Sequence, residues 1–241
     1  MFKDIIQKND SHKISKVNML KKLTSKKNQS ETIKANNSIV EEIYKILRTN
    51  LQYSSTNSNL KVIQITSANM GEGKSTVSYN LSKSLALANK KVLLIDCDLR
   101  RPLVHKLFNI SNVNGLTDML IYDAPVDNYI KKTNFKNLYI LNCGVIPPNP
   151  PELLSSVKMT ESINNLKNKF DIIILDSPPI LPVTDSQILS RLADGTILVT
   201  CYDKTDKSSI LKSKYLIENV GGKFIGSIFN KCPLSQKHYY Y

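Results

Sequence analysis

No stretch of this chain stays apolar for the roughly 18 to 20 residues that a bilayer-crossing helix needs. Its opening residues, MFKDIIQKNDSHK, contain no secretory h-region, so the expected compartment is the cytoplasm. Cys97, Cys143, Cys201 and Cys232 show no C-x-x-C spacing, and His12, His105 and His238 form no ligand pair. A zinc site and a disulfide framework are therefore not expected. No internal repeat is visible. Acidic side chains are scarce, 20 against 33 basic ones, and the resulting net charge of +13 is compatible with an anionic partner. The basic excess lacks the interleaved aromatics, helix-turn-helix or zinc spacing of a nucleic-acid module, so no nucleic-acid partner is expected. What remains is 241 residues, 41% of them hydrophobic, enough for one ordinary α/β domain with a sizeable core.

The stretch KVIQITSANMGEGKST, Lys61 to Thr76, is the most informative. Val62, Ile63 and Ile65 predict a short buried strand ended by Ser67, Ala68 and Asn69. Gly71 and Gly73 let the backbone curl so that successive amides, from Gly71 through Glu72, Gly73, Lys74 and Ser75 to Thr76, point at phosphate oxygens. Lys74 adds a cation for the β and γ phosphates, and Ser75 a hydroxyl for Mg²⁺. Val77, Leu81 and Leu85 predict an amphipathic helix whose positive N-terminus lies under the same phosphates. Ala68 stands where a P-loop usually has its first glycine. An ordinary backbone conformation suffices there if Gly71 and Gly73 carry the turn.

Two more carboxylate-ended strands follow. KKVLLIDCDLRRP predicts a strand from Val92 to Ile95 with Asp96 and Asp98 beyond its carboxyl end, where ligands bind in open α/β sheets. FDIIILDSPP predicts a third, Ile172 to Leu175, with Asp176 placed as a Walker B carboxylate for Mg²⁺. Further strands at Leu138–Leu141, Thr196–Val199 and Phe224–Phe229 alternate with helices at Leu116–Ile121, Met159–Leu166, Asp185–Ala193 and Ser208–Val220. This repetition predicts a mostly parallel sheet flanked by helices on both faces. GVIPPNPPELL is expected to be a proline-rich turn.

The ends differ from the middle. Residues 1–37 carry nine lysines against Asp4, Asp10 and Glu31, the composition of a mobile tail. Such a tail is either simply solvated or holds the chain near an anionic membrane surface, at about 1 kcal/mol per lysine. SIVEEIYKILRTNLQY, Ser38 to Tyr53, predicts a helix that packs Ile39, Ile43, Ile46, Leu47 and Leu51 and turns Glu42, Lys45 and Arg48 outward. Residues 38–232 then form the domain and 233–241 a tail ending in Tyr239, Tyr240 and Tyr241. Because parallel strands share one carboxyl edge, the last strand releases this tail on the edge that carries Gly71, Asp96 and Asp176.

Taken together, these motifs resemble one family. DCDLR matches the Walker A′ pattern D-x-D-x-R, ILDSPP matches that family's Walker B, and Glu42, Lys45 and Arg48 resemble its E-x-x-R-x-x-R oligomerisation motif. With GVIPPNPPELL and the terminal tyrosines, the chain from about Ser38 onward resembles the bacterial protein-tyrosine kinases of capsular and exopolysaccharide synthesis, in their cytosolic CpsD/CapB-like form. The resemblance implies an α/β P-loop NTPase fold of the deviant-Walker, MinD/ParA-like kind, with ATP and Mg²⁺ as cofactors. It implies Lys74, Asp96, Asp98 and Asp176 as catalytic residues, Mg²⁺ on Ser75, Asp98 and Asp176, and Asp96 to orient or deprotonate the incoming hydroxyl. It further implies autophosphorylation of Tyr239, Tyr240 and Tyr241 in trans, assembly as a homo-oligomeric ring, a membrane-bound polysaccharide co-polymerase whose cytoplasmic tail activates the kinase, and a cognate tyrosine phosphatase. The protein would then sit peripherally at the inner face of the membrane through its partner. Lys45 in place of arginine loses planar bidentate pairing and weakens the interface motif. Two other readings stay open: a partitioning or site-selection ATPase, against which Asn69 and Met70 stand where a second lysine is usual, and a non-catalytic scaffold switched by ATP.

Overall fold

The computed structural model describes residues 38–53, 60–122 and 124–233. The lysine-rich segment 1–37 and Tyr239, Tyr240 and Tyr241 lie outside the described residues. The chain divides into two units, Met1–Ile46 and Leu47–Tyr241.

The second unit is built on β1 (Val62–Ser67), β2 (Val92–Asp96), β3 (Lys131–Lys132), β4 (Leu138–Leu141), β5 (Ile172–Asp176), β6 (Gly195–Cys201) and β7 (Phe224–Asn230). They form one sheet in the order β3-β4-β2-β5-β1-β6-β7. Each described neighbour pair is parallel except β3 with β4. Every residue of β1, β2 and β6 is buried. Since successive side chains of a strand point to opposite faces, both faces of the sheet are covered. The expected α/β architecture is what the chain adopts.

Helix α1 covers residues 38–53. It is followed by α2 (Lys74–Leu87), α3 (Val104–Leu107), α4 (Leu116–Ile121), α5 (Pro150–Leu154), α6 (Val157–Lys167), α7 (Asp185–Leu192) and α8 (Lys207–Asn219). Val77, Leu81 and Leu85 are the buried apolar stripe of α2. Leu93, Ile95, Ile173 and Leu175 join Leu116, Met119, Met159, Ile163 and Leu166 in the main apolar core. The Ser156 hydroxyl caps α6 by accepting the Met159 amide at 3.1 Å.

A second, polar core ties β1 to its neighbours. Gln64 is fully buried on β1. Its amide nitrogen donates to Ser177 Oγ at 2.9 Å and to the Ser186 carbonyl at 2.8 Å, while its oxygen accepts from Ser190 at 2.8 Å and Thr196 at 2.9 Å. Thr66 Oγ1 donates to the Pro178 carbonyl at 2.7 Å. Each of these buried side-chain groups finds a partner, as a low-dielectric interior requires.

Three expectations need correction. The PPELL segment is not turn but helix α5, with prolines in its first turn. A proline there removes only an amide that has no intrahelical acceptor, and its φ already suits a helix. The apolar face expected on α1 is not wholly packed: Ile43 and Ile46 are 37% and 55% exposed. Helical spacing fixes which residues share a face, not whether anything covers it. In the first unit Glu42 and Lys45 form an exposed pair at 2.8 Å. In the second, Arg48, expected to turn outward with them, is instead half-buried and donates to the Ser84 carbonyl in the last turn of α2, also at 2.8 Å, because its long side chain can lie along a neighbouring helix and reach an end carbonyl. Among the described residues no helix is long and apolar enough to cross a membrane.

Candidate active site

The parallel sheet brings the carboxyl ends of β1, β2 and β5 together, and the loop after β1 lies between them. Gly71 and Gly73 have φ of +78° and +97°, in the left-handed region that side chains disfavour. Ala68 is absent from the positive-φ residues and buried, so the missing first glycine strains nothing. At Gly73 a Cβ would also collide with the Asn230 side chain. Gly73 is the N-cap of α2, without a side-chain cap and without an acidic residue in the first turn. The first intrahelical bond runs from the Val77 amide to the Gly73 carbonyl at 3.0 Å, which leaves the Lys74, Ser75 and Thr76 amides ahead of it. Orphan amides at the positive end of a helix dipole form an anion cradle.

Charged side chains from the β2 and β5 ends complete one flank. Lys74 is 8% exposed and donates to Asp98 Oδ2 at 2.7 Å and to Ser75 Oγ at 3.3 Å. Burial alone would pull its pKa down, but the charges of Asp176, Asp98 and Asp96 outweigh that and hold it above the ordinary lysine value. Asp96 and Asp176 face each other in register on β2 and β5, and both are fully buried. Burial raises both above the usual carboxylate range. The charge of Asp176 pushes Asp96 further, while Lys74 pulls Asp176 back. Asp176 Oδ1 accepts from Ser78 at 3.0 Å, whereas its Oδ2 is buried with no hydrogen-bond partner.

Two expected residues have structural duties. Asp96 accepts the amides of Leu103 and Val104 at 3.1 and 2.9 Å through one oxygen and that of Asp98 at 3.3 Å through the other, which shapes the loop into α3. Glu72 accepts the Asn69 amide at 3.1 Å and the Thr205 hydroxyl at 2.6 Å, so its side chain braces the phosphate loop rather than facing a ligand.

The other flank, at the ends of β6 and β7, was not read from the sequence. There Lys204 donates to the Met70 carbonyl at 3.2 Å, Lys231 to the Gly71 carbonyl at 2.8 Å, and the Asn230 amide to the Glu72 carbonyl at 2.9 Å. The carboxyl-edge argument that singled out Asp96 and Asp176 applies equally to Asn230, which ends β7, and to Lys231 just beyond it. Arg100 was also missed as a partner. It makes a bidentate pair with buried Asp185 at the start of α7, at 2.9 and 3.0 Å.

The donor set suits a hard cation shared with phosphates. Among the described residues no three histidine, cysteine or carboxylate groups converge as a complete metal site. Mg²⁺ ordinarily takes one or two carboxylates and draws its remaining ligands from phosphate and water. The unpartnered Asp176 Oδ2, with Ser75 and Asp98 nearby, fits that demand.

Comparison with known proteins agrees with the site. A family model described as AAA domain matches residues 60–210. The tyrosine-protein kinase YwqD of Bacillus subtilis (strain 168) is 42% identical over 203 residues, 84% of this chain and 86% of that protein. Among solved structures, the chimerical protein CapA2B2 superposes with a TM-score of 0.76 at 34% identity, covering 80% of this chain and 84% of the other. The septum site-determining protein MinD of Pyrococcus horikoshii OT3, complexed with Mg-ADP, gives a TM-score of 0.63 at 30% identity, over 73% of this chain and 72% of that one.

Proposed function

Since this chain belongs to the bacterial tyrosine-protein kinases, we propose that it transfers the γ-phosphoryl group of ATP to the hydroxyls of its own Tyr239, Tyr240 and Tyr241, in trans between copies, and thereby regulates capsular or exopolysaccharide synthesis and export. The observation that carries this reading is the convergence of Lys74, Asp98 and the unpartnered Asp176 oxygen beside the phosphate loop. The likeness to MinD complexed with Mg-ADP supports nucleotide and Mg²⁺ in the same place.

The amides from Gly71 to Thr76 hold the phosphates, and Lys74 exchanges Asp98 for phosphate oxygen as nucleotide enters. Ser75, Asp98 and Asp176 would hold Mg²⁺, which when bound neutralises charge on the phosphates. The phenol oxygen bonds to the γ-phosphorus as that atom's bond to the β,γ-bridging oxygen breaks. ADP leaves with the electron pair, and the phenol proton passes to a carboxylate oxygen of Asp96. A phenol with a pKa near 10 needs such help at neutral pH.

The assembly is read from the same family. Glu42, Lys45 and Arg48 would form the interface of a ring, and the exposure of Ile43 and Ile46 beside them supports this. The likeness to the chimerical protein CapA2B2 supports a partner polypeptide, here the cytoplasmic tail of a membrane-bound polysaccharide co-polymerase that keeps the kinase at the inner membrane face. The lysines of residues 1–37 add attraction to anionic lipid, and a cognate phosphatase resets the tyrosines. Residues 38–232 are the kinase domain between two tails.

A mixing experiment tests the central claim. The Lys74→Met protein, intact in its tail, is incubated with active protein lacking residues 239–241, Mg-ATP and the activating tail. Phosphotyrosine should appear on the inactive partner. Its absence there, with intact protein labelling itself at a rate independent of concentration, would mean reaction in cis.

A further inference from the structure

The edge of the sheet opposite the phosphate loop carries a second cavity, of about 420 Å³. It lies where β2, β4 and β5 begin and β3 ends. Lys91 precedes β2, Lys169 and Phe170 precede β5, and Lys132 pairs with Tyr139 across the antiparallel β3–β4 ladder. Residues so paired point to one face. Tyr139 and Phe170 make an aromatic wall, their rings edge to face with centroids 5.5 Å apart, and half-buried Ile130 adds hydrocarbon. The Lys91 ammonium stands 5.6 and 5.0 Å from the two ring centres. With Lys132 and Lys169, three lysines from three segments converge on one cavity, which is not the pattern of a solvated helix stripe. The carboxylate in its lining, Asp127, pairs with Lys169, and neighbouring Asp171 accepts the Lys91 amide at 2.8 Å. Among the described residues Lys91 and Lys132 have no carboxylate partner. Nothing in the chemistry at the carboxyl edge calls for this group.

We infer that this cavity holds a phosphotyrosine from the tail of a second copy, its ring against Tyr139 and Phe170 and its phosphate among the Lys91, Lys132 and Lys169 ammonium groups. The inference rests on the proposed autokinase reading, which supplies such a group. Inorganic phosphate would engage the lysines and leave the aromatic wall idle. An unmodified phenol would cover the wall and leave the cations unpaired, whereas an aryl phosphate satisfies both. Charge also separates the two forms of the tail. Residues 233–241 contain Lys237 and no acidic side chain, so a lysine-rimmed cavity repels the unmodified tail. Three phosphates add roughly −5 and reverse the sign. The occupant comes most readily from another copy. Five strand spacings separate β7 from β4, about 24 Å across the sheet, and the cavity is displaced from the end of β7 by roughly 15 Å more along the strands. The direct line, about 28 Å, runs through the packed sheet. The ten steps from Asn230 to Tyr240 span at most about 36 Å, so a path over the surface would need the tail of the same chain fully stretched. A tail from a second copy meets no such limit, and once docked it is held away from Lys74.

The test uses synthetic phosphopeptides and so does not depend on transfer. Full-length protein whose own Tyr239, Tyr240 and Tyr241 are changed to phenylalanine is titrated with fluorescent peptides of residues 233–241. Their last three positions carry tyrosine, phosphotyrosine or phosphoserine. The phosphotyrosine peptide should bind about tenfold or more tighter than the unmodified one and about threefold or more tighter than the phosphoserine one. Lys91→Glu and Lys132→Glu alter exposed side chains, which spares the fold. Each should weaken the phosphotyrosine peptide by about tenfold, while fluorescent Mg-nucleotide binds within about twofold of wild type. Lys74→Met should leave peptide affinity within about twofold. Equal affinity for modified and unmodified peptides, or for phosphoserine and phosphotyrosine, overturns the assignment. Loss of binding on Lys74→Met but not on Lys91→Glu also overturns it, because the peptide would then occupy the active site. Binding of the expected kind, with no phosphotyrosine formed from Mg-ATP by the wild-type protein and its activating tail, would instead sink the autokinase reading and leave the cavity standing.

Discussion

The two flanks of the phosphate loop answer different demands with similar residue types. On the β2–β5 side a buried lysine sits among three carboxylates, two of them held above their ordinary pKa, and one carboxylate oxygen has no partner. On the β6–β7 side Lys204, Asn230 and Lys231 are also cationic or polar donors, but each reaches a carbonyl of the loop itself. One flank is electrostatically unfinished without its ligand. The other is complete and fixes the shape that the ligand meets. A lysine beside a P-loop is therefore not informative by type; what its ammonium touches decides whether it serves chemistry or scaffold.

The sharpest way to break this contrast is Lys74→Met. Phosphotyrosine formation should fall by at least about a thousandfold if, as proposed, the residue supplies charge at the transferring phosphoryl group, while circular dichroism stays that of a folded protein. Undiminished labelling would assign Lys74 to the scaffold side. Next comes Asp176→Asn, which should lose transfer by roughly a hundredfold or more and yet raise the melting temperature of nucleotide-free, Mg²⁺-free protein. The sign follows from linkage: a carboxyl whose folded pKa is raised contributes stability below its unfolded pKa and loses it as pH climbs through the folded value. The amide cannot ionise, so its advantage should widen as pH rises above the ordinary carboxylate range. A lower melting temperature at every pH would show the carboxylate to be satisfied without its ligand.

On the completed flank the expected effects are smaller. Asn230→Ala or Lys231→Ala removes one hydrogen bond worth about 1 kcal/mol, so nucleotide affinity should fall about fivefold with the rate of transfer from bound ATP unchanged. A collapse of that rate would make the two flanks one catalytic unit. Remote from both, Ser156→Ala removes the cap of α6 and should cost about 1 kcal/mol of unfolding free energy in a denaturant titration. Nucleotide affinity should be unmoved, and a change there would mean that global stability, not the flanks, governs binding.

Much of the carboxyl edge was legible in the amino-acid sequence because its residues interrupt apolar strands. Asp96 and Asp176 stand out after runs of valine, leucine and isoleucine, and the helix Leu116–Ile121 and strand Leu138–Leu141 have the bounds that periodicity gave them. β1 is longer than expected because Thr66 and Ser67 remain buried in it, Thr66 with a carbonyl for its hydroxyl. α3 and β3, four and two residues long, are too short to show a period. The role of Asp96 was the hardest to read. A strand-end aspartate looks the same whether it faces a ligand or accepts three amides of its own loop, and only the folded path of Leu103 and Val104 tells them apart.

The Gln64 cluster has a consequence for how this sheet finds its register. Strands as uniformly aliphatic as β2 and β5 can slide by a residue and still bury hydrocarbon, since side chains merely exchange faces. A slide of β1 would exchange Gln64 with Ile63 or Ile65 and leave the two ends of the Gln64 amide and the Thr196 hydroxyl without the partners they now have, while Ser190 would keep the Ser186 carbonyl. Each orphaned group costs about 1 to 3 kcal/mol. The mispaired competitor is thereby penalised by a sum comparable to the 5 to 15 kcal/mol or so that keeps a typical domain folded. An amide buried at the centre of the sheet acts as a proofreader of strand pairing, and the phosphate loop that follows β1 inherits its position from that check.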